Sequence, residues 1–327
     1  MTVHVHLRFT HQTLYVPYMI DRRLPVLQAI ARHGTVTAAA RVCLLTPSAV
    51  SHQMQALARE LDVVLLEPVG RTVRLTAAAH TLLEHTAALT AAWERAQADL
   101  EAHRSGGLTG TLRLCGFSTA AAVVAPRALT LLRRDHPGLG LHLREAEPAV
   151  AFDLLAAGAV DVAVLVATPD IPPRSDAAFE QHPLCTEPLD ILVGPDHPLA
   201  GRAAVALAEV ADDPWIVGTP GRSYHRLVTT ACAGAGFQPV VAHHADEWDT
   251  GAALVAAGFG VALVPRLAAL PARHDTRRIP VTGAGAPVRH VLTAIRAGSA
   301  GRPVVAAGLD ALRRVRATGL PELGPPD

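Results

Sequence analysis

The sequence predicts an α/β chain in three parts: a small helical domain with a two-stranded wing, one long helix, and a bilobed α/β domain. Three observations carry this. Residues 36–55 read as two short helices joined by a turn, residues 76–103 run without Gly or Pro, and from residue 111 strand-like and helix-like stretches alternate. A chain of 327 residues has room for two or three domains.

Taken in order, residues 1–18 show little helical periodicity and are expected to be a disordered extension, with Met19 as an alternative start. From Met19 a helix is expected, with Leu24, Leu27, Ile30 and Ala31 on one side and Gly34 ending it as a C′ glycine. Thr35 or Thr37 can cap the next helix, whose Val36, Ala39, Ala40 and Cys43 form a small apolar face suited to close packing. Thr46 is an N-cap candidate and Pro47 fits the first helical position. In the helix that follows, Val50, Met54, Leu57 and Leu61 make one apolar stripe. Ser48, Ser51, His52, Gln55 and Arg59 lie on another face and can hydrogen-bond to phosphates or base edges. By spacing alone this is equally a DNA-reading helix pair or an ordinary helical hairpin. Residues 63–66 and 72–75 are strand-like around the turn 69–71, and Arg71 and Arg74 would reach a phosphate backbone. That makes residues 19–76 a winged helix-turn-helix.

The helix expected over residues 77–105 spaces Leu75, Ala79, Leu82, Thr86, Leu89, Trp93, Ala96, Leu100 and His103 alternately by four and three. A seam of period 3.5 marks two helices lying side by side. Leu82, Leu89, Trp93 and Leu100 are therefore the expected dimer contacts, the alternative being a helix lying on its own domain. Ser105, Gly106 and Gly107 break it.

The remainder, residues 106–320, is expected to form two lobes. Lobe I takes about 109–167 and 266–318, with strands at 111–115, 139–145, 160–167 and 290–295 and helices at 120–135, 148–157 and 303–316. Lobe II takes about 168–265, with strands at 189–193, 215–217, 240–242 and 260–264 and helices at 224–235 and 250–257; residues 169–174 form a proline-rich crossing. A cleft between two such lobes is the usual place for a small ligand. Strand 111–115 runs through Gly116 and Phe117 into Ser118 and Thr119 at a helix start, where hydroxyls and free N–H groups converge. Facing them, Thr219, Arg222 and Ser223 precede helix 224–235 and would supply a guanidinium and hydroxyls. Ser118 and Thr119 acting only as helix caps is the competing reading.

Composition narrows the function classes. Basic and acidic residues balance at 29 each, so no global field draws nucleic acid, and every basic residue other than histidine is arginine. Between residues 19 and 76, however, seven arginines (Arg22, Arg23, Arg32, Arg41, Arg59, Arg71, Arg74) face four acids (Asp21, Glu60, Asp62, Glu67), enough if they share a face. Cys43, Cys115, Cys185 and Cys232 lie far apart and read as free thiols of a cytoplasmic protein, with a redox sensor as the alternative. The 17 histidines show no metal-ligand spacing, so no metal and no cofactor are expected. No run is long enough to span a bilayer, no secretory signal is evident, and neither GxSxG nor a phosphate loop is present. Asp246, Glu247 and Asp249 read as dipole complements of a helix start.

With these parts in this order, residues 19 to about 316 resemble the LysR-type transcriptional regulators. The match is densest at Gly34, Thr35, Thr37, Ala39, Ala40, the run from Thr46 through Ser51, Gln53, Leu57, Glu60, Leu61, Leu65, Arg71, Leu75 and Thr76. It extends to DVAVLVA (161–167), GPDHPLA (194–200) and LVAAGFGVALVP (254–265). The resemblance implies a non-enzymatic regulator with a periplasmic-binding-protein-like effector domain. It implies that Thr35, Thr37, Thr46, Pro47, Ser48, Ser51, His52, Gln53, Gln55, Arg71 and Arg74 serve DNA binding, and that Ser118 and Thr119 hold an anionic effector. Promoter DNA, a small effector and a second copy of the chain, as dimer or tetramer, are the expected partners, with RNA polymerase a further one. Pro68 stands where the family has Arg, Asp62 replaces a Gly in a cap that Asp tolerates, and Ala79 replaces another Gly. The alternative is a solute-binding protein or an enzyme on the same bilobed fold.

Overall fold

The computed structural model describes residues 21–70, 72–103, 107–283 and 285–319. The extension 1–18, Met19, Arg71 and the Ser105–Gly106 break lie outside the described residues. Two compact units divide the chain: one reaches to Leu89 and includes Asp153–Ala159, the other holds Thr90–Phe152 and everything from Val160.

The first unit begins with α1 (Leu24–His33), α2 (Val36–Val42) and α3 (Pro47–Glu60). Gly34 closes α1 at φ +69°, its N–H reaching the Ile30 carbonyl at 2.8 Å. Thr35, not Thr37, caps α2, accepting from Ala38 N at 3.1 Å. Thr46 caps α3 by accepting from Ala49 N at 3.1 Å. Leu27, Ile30, Ala39, Val50, Met54 and Leu57 meet in one core. Leu61, expected on that stripe, is instead 44% exposed at the helix end.

The wing is β1 (Leu66–Val69) paired antiparallel with β2 (Thr72–Leu75). Its first strand starts three residues later than expected, and the cause is the end of α3. Asp62 takes φ +52° and Val63 N donates to the Ala58 carbonyl at 3.0 Å, a Schellman closure that uses up the residues before the strand. Thr76 then ties the wing to the long helix α4 (Ala77–Ala102): its hydroxyl donates to Val64 O at 2.6 Å and accepts from Ala79 N at 3.2 Å.

The part of α4 from Thr90 belongs to the second unit and buries Ala91, Glu94 and Ala98 against it. This is a different face from the expected seam, so the helix does lie on its own domain along this half. Along the seam itself, Leu82 packs into the first unit's core, Trp93 is half-buried, and Leu89 and Leu100 are exposed at 57% and 65%.

The second unit comprises β3 (Gly110–Gly116), α5 (Ala125–Asp135), β4 (Leu139–Glu145), the start of α6 (Pro148–Ala156, which passes into the first unit at Asp153), β5 (Val162–Val166) and β6 (Phe179–Val193). It continues with β7 (Pro214–Val217), α7 (Ser223–Gly234), β8 (Val240–His244), α8 (Trp248–Ala256), β9 (Ala262–Pro265), β10 (Arg277–Pro280), β11 (Val288–Arg296) and α9 (Pro303–Gly319). The expected helix 120–135 divides into a π-helical turn at Ala120–Val124 and α5.

The sheet order β10-β6-β11-β5-β3-β4 turns on the 15-residue β6. Its first part pairs with β11 in lobe I, and its last part with β9 and β10 in lobe II. The crossovers between lobes therefore fall near Pro188 and between Pro280 and Val288, not at residues 167 and 265 as expected. Only the end of β6 had a strand-like reading, because Pro183 and Pro188 interrupt the rest. The structure admits Pro183 where the register with β11 slips between Val291 and Leu292, a bulge at which a missing N–H costs nothing. The four-residue β10 had no reading at all. Leu112, Val162, Val164, Ile295, Val305 and Leu312 centre the core of lobe I; Ile191, Trp215, Val228, Val261 and Leu263 centre that of lobe II.

Candidate nucleic-acid interface and effector cleft

On α3 the buried positions Val50, Met54 and Leu57 leave Ser48, His52, Gln55 and Arg59 on the open side. Thr46 and Pro47 are exposed as well, while Ser51 and Gln53 are half-buried at the margins. No carboxylate stands among these residues, so the face offers donors and amides without a charge that repels phosphate. Not every predicted residue is free for DNA. The Thr35 and Thr46 hydroxyls cap their helices, and Thr46 Oγ1 also lies 3.0 Å from Ser48 Oγ; Thr37 is exposed. Arg74 is paired across the wing with Glu67 at 2.7 Å, which a phosphate has to replace.

In the second unit, Ser118 is half-buried and Thr119 is 1% exposed. Thr119 has helical φ/ψ and makes no capping hydrogen bond, and its Oγ1 has no protein partner. A cap-only role therefore does not describe it. The residues expected to face them are all engaged. Thr219 donates its N–H (2.8 Å) and its hydroxyl (2.9 Å) to Asp246. Arg222 Nη2 donates to Glu147 Oε1 at 3.1 Å, and Ser223 Oγ to Glu147 Oε2 at 2.6 Å. Arg222 Nε also stands 3.7 Å from Asp246. Burial pushes the Asp246 carboxyl up, but the Thr219 hydrogen bonds and the Arg222 charge outweigh it and hold it below the ordinary range.

Between the lobes, Glu187 is fully buried and accepts from Arg289 Nε at 2.7 Å and from Leu267 N at 2.8 Å. The Arg289 guanidinium lies 4.7 Å from the centre of the Phe117 ring, one residue before Ser118, and its Nη2 lacks a partner. Sequence reasoning missed both Glu147 and the Glu187–Arg289 pair. The available signal was a charge inside each of two apolar strands, TEPLDILV and VRHVLTAI. Asp246 and Asp249, read as dipole complements, are occupied otherwise: Asp246 by Thr219, Asp249 by Arg273 and His274. Burial pushes the thiols of Cys115, Cys185 and Cys232 up to about 12 and raises that of Cys43. Among the described residues no group of His, Cys, Asp and Glu could hold a metal ion, and no helix is long and apolar enough to cross a membrane.

Residues 22–80 match the family described as bacterial regulatory helix-turn-helix protein, lysR family, and residues 105–317 match the LysR substrate binding domain. The chain belongs to the LysR family. It is a LysR-type DNA-binding transcriptional regulator with a substrate-binding domain, and the solute-binding or enzymatic alternative finds no support. A RuBisCO operon transcriptional regulator of Allochromatium vinosum is 31% identical over 200 residues, 61% of this chain and 64% of that one. The dual regulator OxyR of Escherichia coli is 28% identical over 253 residues, 77% of this chain and 81% of that one. In structure, this LysR chain superposes on a full-length OxyR variant from Pseudomonas aeruginosa with a TM-score of 0.59 at 23% identity, covering 93% of this chain and 96% of that one.

Proposed function

We propose that this LysR-type regulator binds promoter DNA as a homodimer or homotetramer and answers to a small anionic effector in the cleft of its second unit. The observation that carries the DNA part is the exposed polar row Ser48, His52, Gln55 and Arg59 on a helix whose opposite side is sealed in a core. Two such helices in a dimer would enter successive major grooves of a pseudo-palindrome about one helical turn apart. Ser48, Ser51, His52 and Gln55 then face bases, while Arg71 and Arg74 hold the backbone. For the effector, the supporting observation is the buried, unpartnered hydroxyl of Thr119 at a helix start, where free N–H groups favour an oxyanion. RNA polymerase is the further partner that regulated transcription requires, and the cytoplasm is the compartment in which promoter DNA is met.

The test is a binding comparison on the upstream intergenic DNA and on random DNA. Replacing Ser51 and Gln55 with Ala should weaken specific binding much more than non-specific binding, since a good base contact contributes about 1–3 kcal/mol. Arg74→Ala should weaken both and flatten the salt dependence by about one unit of slope. Equal losses on the two DNAs for the Ser51/Gln55 variant refute base readout by this face.

A further inference from the structure

Glu147 stands between β4 and α6, on lobe I, and both of its carboxylate oxygens are used by lobe II: one by the Ser223 hydroxyl, the other by the Arg222 guanidinium. A carboxylate held by one hydroxyl and one guanidinium is the arrangement a bound organic anion would show. The chain therefore supplies the anion itself. Local sequence prepares this. Pro148, opening α6, biases the preceding residue toward extended backbone, and the Glu147 carbonyl already accepts from Ala151 N at 2.9 Å. The side chain is thus presented from a fixed point.

Charge accounting around the seat points the same way. Arg222 meets two carboxylates, Glu147 at 3.1 Å and Asp246 at 3.7 Å, and Thr219 is consumed by Asp246. A free anion approaching this part of lobe II meets an Arg222 already flanked by two carboxylates and a Thr219 hydroxyl already donated. On lobe I, the Thr119 hydroxyl is buried without a hydrogen-bond partner.

Resting on the reading of this cleft as an anion site, we infer that Glu147 is an internal occupant of the effector's seat and thereby a specificity-determining residue. A tethered group competes at an effective concentration of the order of millimolar or higher. A simple carboxylate that engages only Arg222 and Ser223 gains nothing over Glu147 and is excluded. The ligand that enters is an organic anion with a second polar group, so that it gains a contact beyond those Glu147 already makes with Ser223 and Arg222.

The experiment uses the full chain, with sodium acetate as the probe and sodium chloride at equal ionic strength as the control, read by thermal unfolding midpoint. Wild type should show no acetate-specific shift at 10–20 mM (roughly the upper end of the tethered range). Glu147→Ala should show a saturable upward shift, with an apparent affinity at least about tenfold above wild type. Glu147→Gln keeps the shape of the side chain and should respond in the same direction, which guards against a folding defect in the alanine variant. Adding Arg222→Met to Glu147→Ala should abolish the shift. Equal acetate responses in wild type and both Glu147 variants overturn the inference, as does a response that survives Arg222→Met. Succinate should stabilise Glu147→Ala more than acetate does; no difference refutes the requirement for a second polar group. Failure of the regulator reading shows separately, as absent specific DNA binding, whatever acetate does.

Discussion

Removing the Glu94 carboxylate should loosen the second unit more than any other single change in α4. Glu94 is 5% exposed and pairs with Nε of Arg296, itself 6% exposed, while Arg302 stands 3.7 Å from its other oxygen. In Glu94→Ala, Arg296 stays buried with the Val160 carbonyl at 2.7 Å and Asp161 at 3.5 Å. Breaking a buried ion pair from one side costs about 3–5 kcal/mol, and the surviving Asp161 contact places this case near the lower end, about 3 kcal/mol. For a unit of this size each kcal/mol moves the midpoint by about 2–4 °C, so a fall of roughly 6–12 °C is expected. Calorimetry is the assay, since it separates the transitions of the two units. A companion variant, Glu94→Leu with Arg296→Met, removes both charges and should recover most of the loss. A Glu94→Ala midpoint within about 2 °C of wild type refutes the argument, because a buried guanidinium that loses its shortest carboxylate contact cannot be that cheap.

Leu89→Glu and Leu100→Glu place charges on the exposed side of α4, where Leu89 and Leu100 are 57% and 65% exposed. Each should lower the oligomeric state in light scattering at micromolar concentration without changing the far-ultraviolet spectrum, and unchanged mass removes this face from self-association. Trp93, half-buried on its own chain, is a poorer probe of the same question. With Cys115, Cys185 and Cys232 pushed up to about 12, their thiolate fraction at pH 8 is about one in ten thousand. The native protein should therefore react with a thiol reagent at Cys43 first, and the other three should wait for unfolding; fast labelling of any of them contradicts the burial.

The DNA-reading half was legible because its signals are local. A capping threonine, a proline at the first helical turn, a C′ glycine and an apolar stripe each act within about four residues. Thr35, Gly34 and Thr46 do what their types imply. The effector half was legible as alternating strands and helices, yet its crossovers were misplaced, because Pro183 and Pro188 mask a strand that long-range pairing with β11 stabilises. Donors at helix starts could be named from the sequence, but not their partners. Glu147 and Ser223 are 76 residues apart, and Glu187 and Arg289 are 102 apart, separations at which no periodicity operates. The α4 seam splits for a related reason: Ala79 and Thr86 of the stripe are buried in the chain, Leu89 and Leu100 are exposed, and from Thr90 the buried face is Ala91, Glu94 and Ala98 beside it.

β6 has a mechanical consequence. At one of its two crossings the chain passes between the lobes as an unbroken strand, with no slack loop there to absorb travel. Relative rotation at that crossing is taken up as extra twist in the few residues about Glu187 and Pro188, which is where the buried Glu187–Arg289 pair is seated. Twist at this crossing therefore falls on a residue with three ties, Glu187 being registered against Arg289 on β11, bonded to its guanidinium, and bonded also to Leu267 N beyond β9.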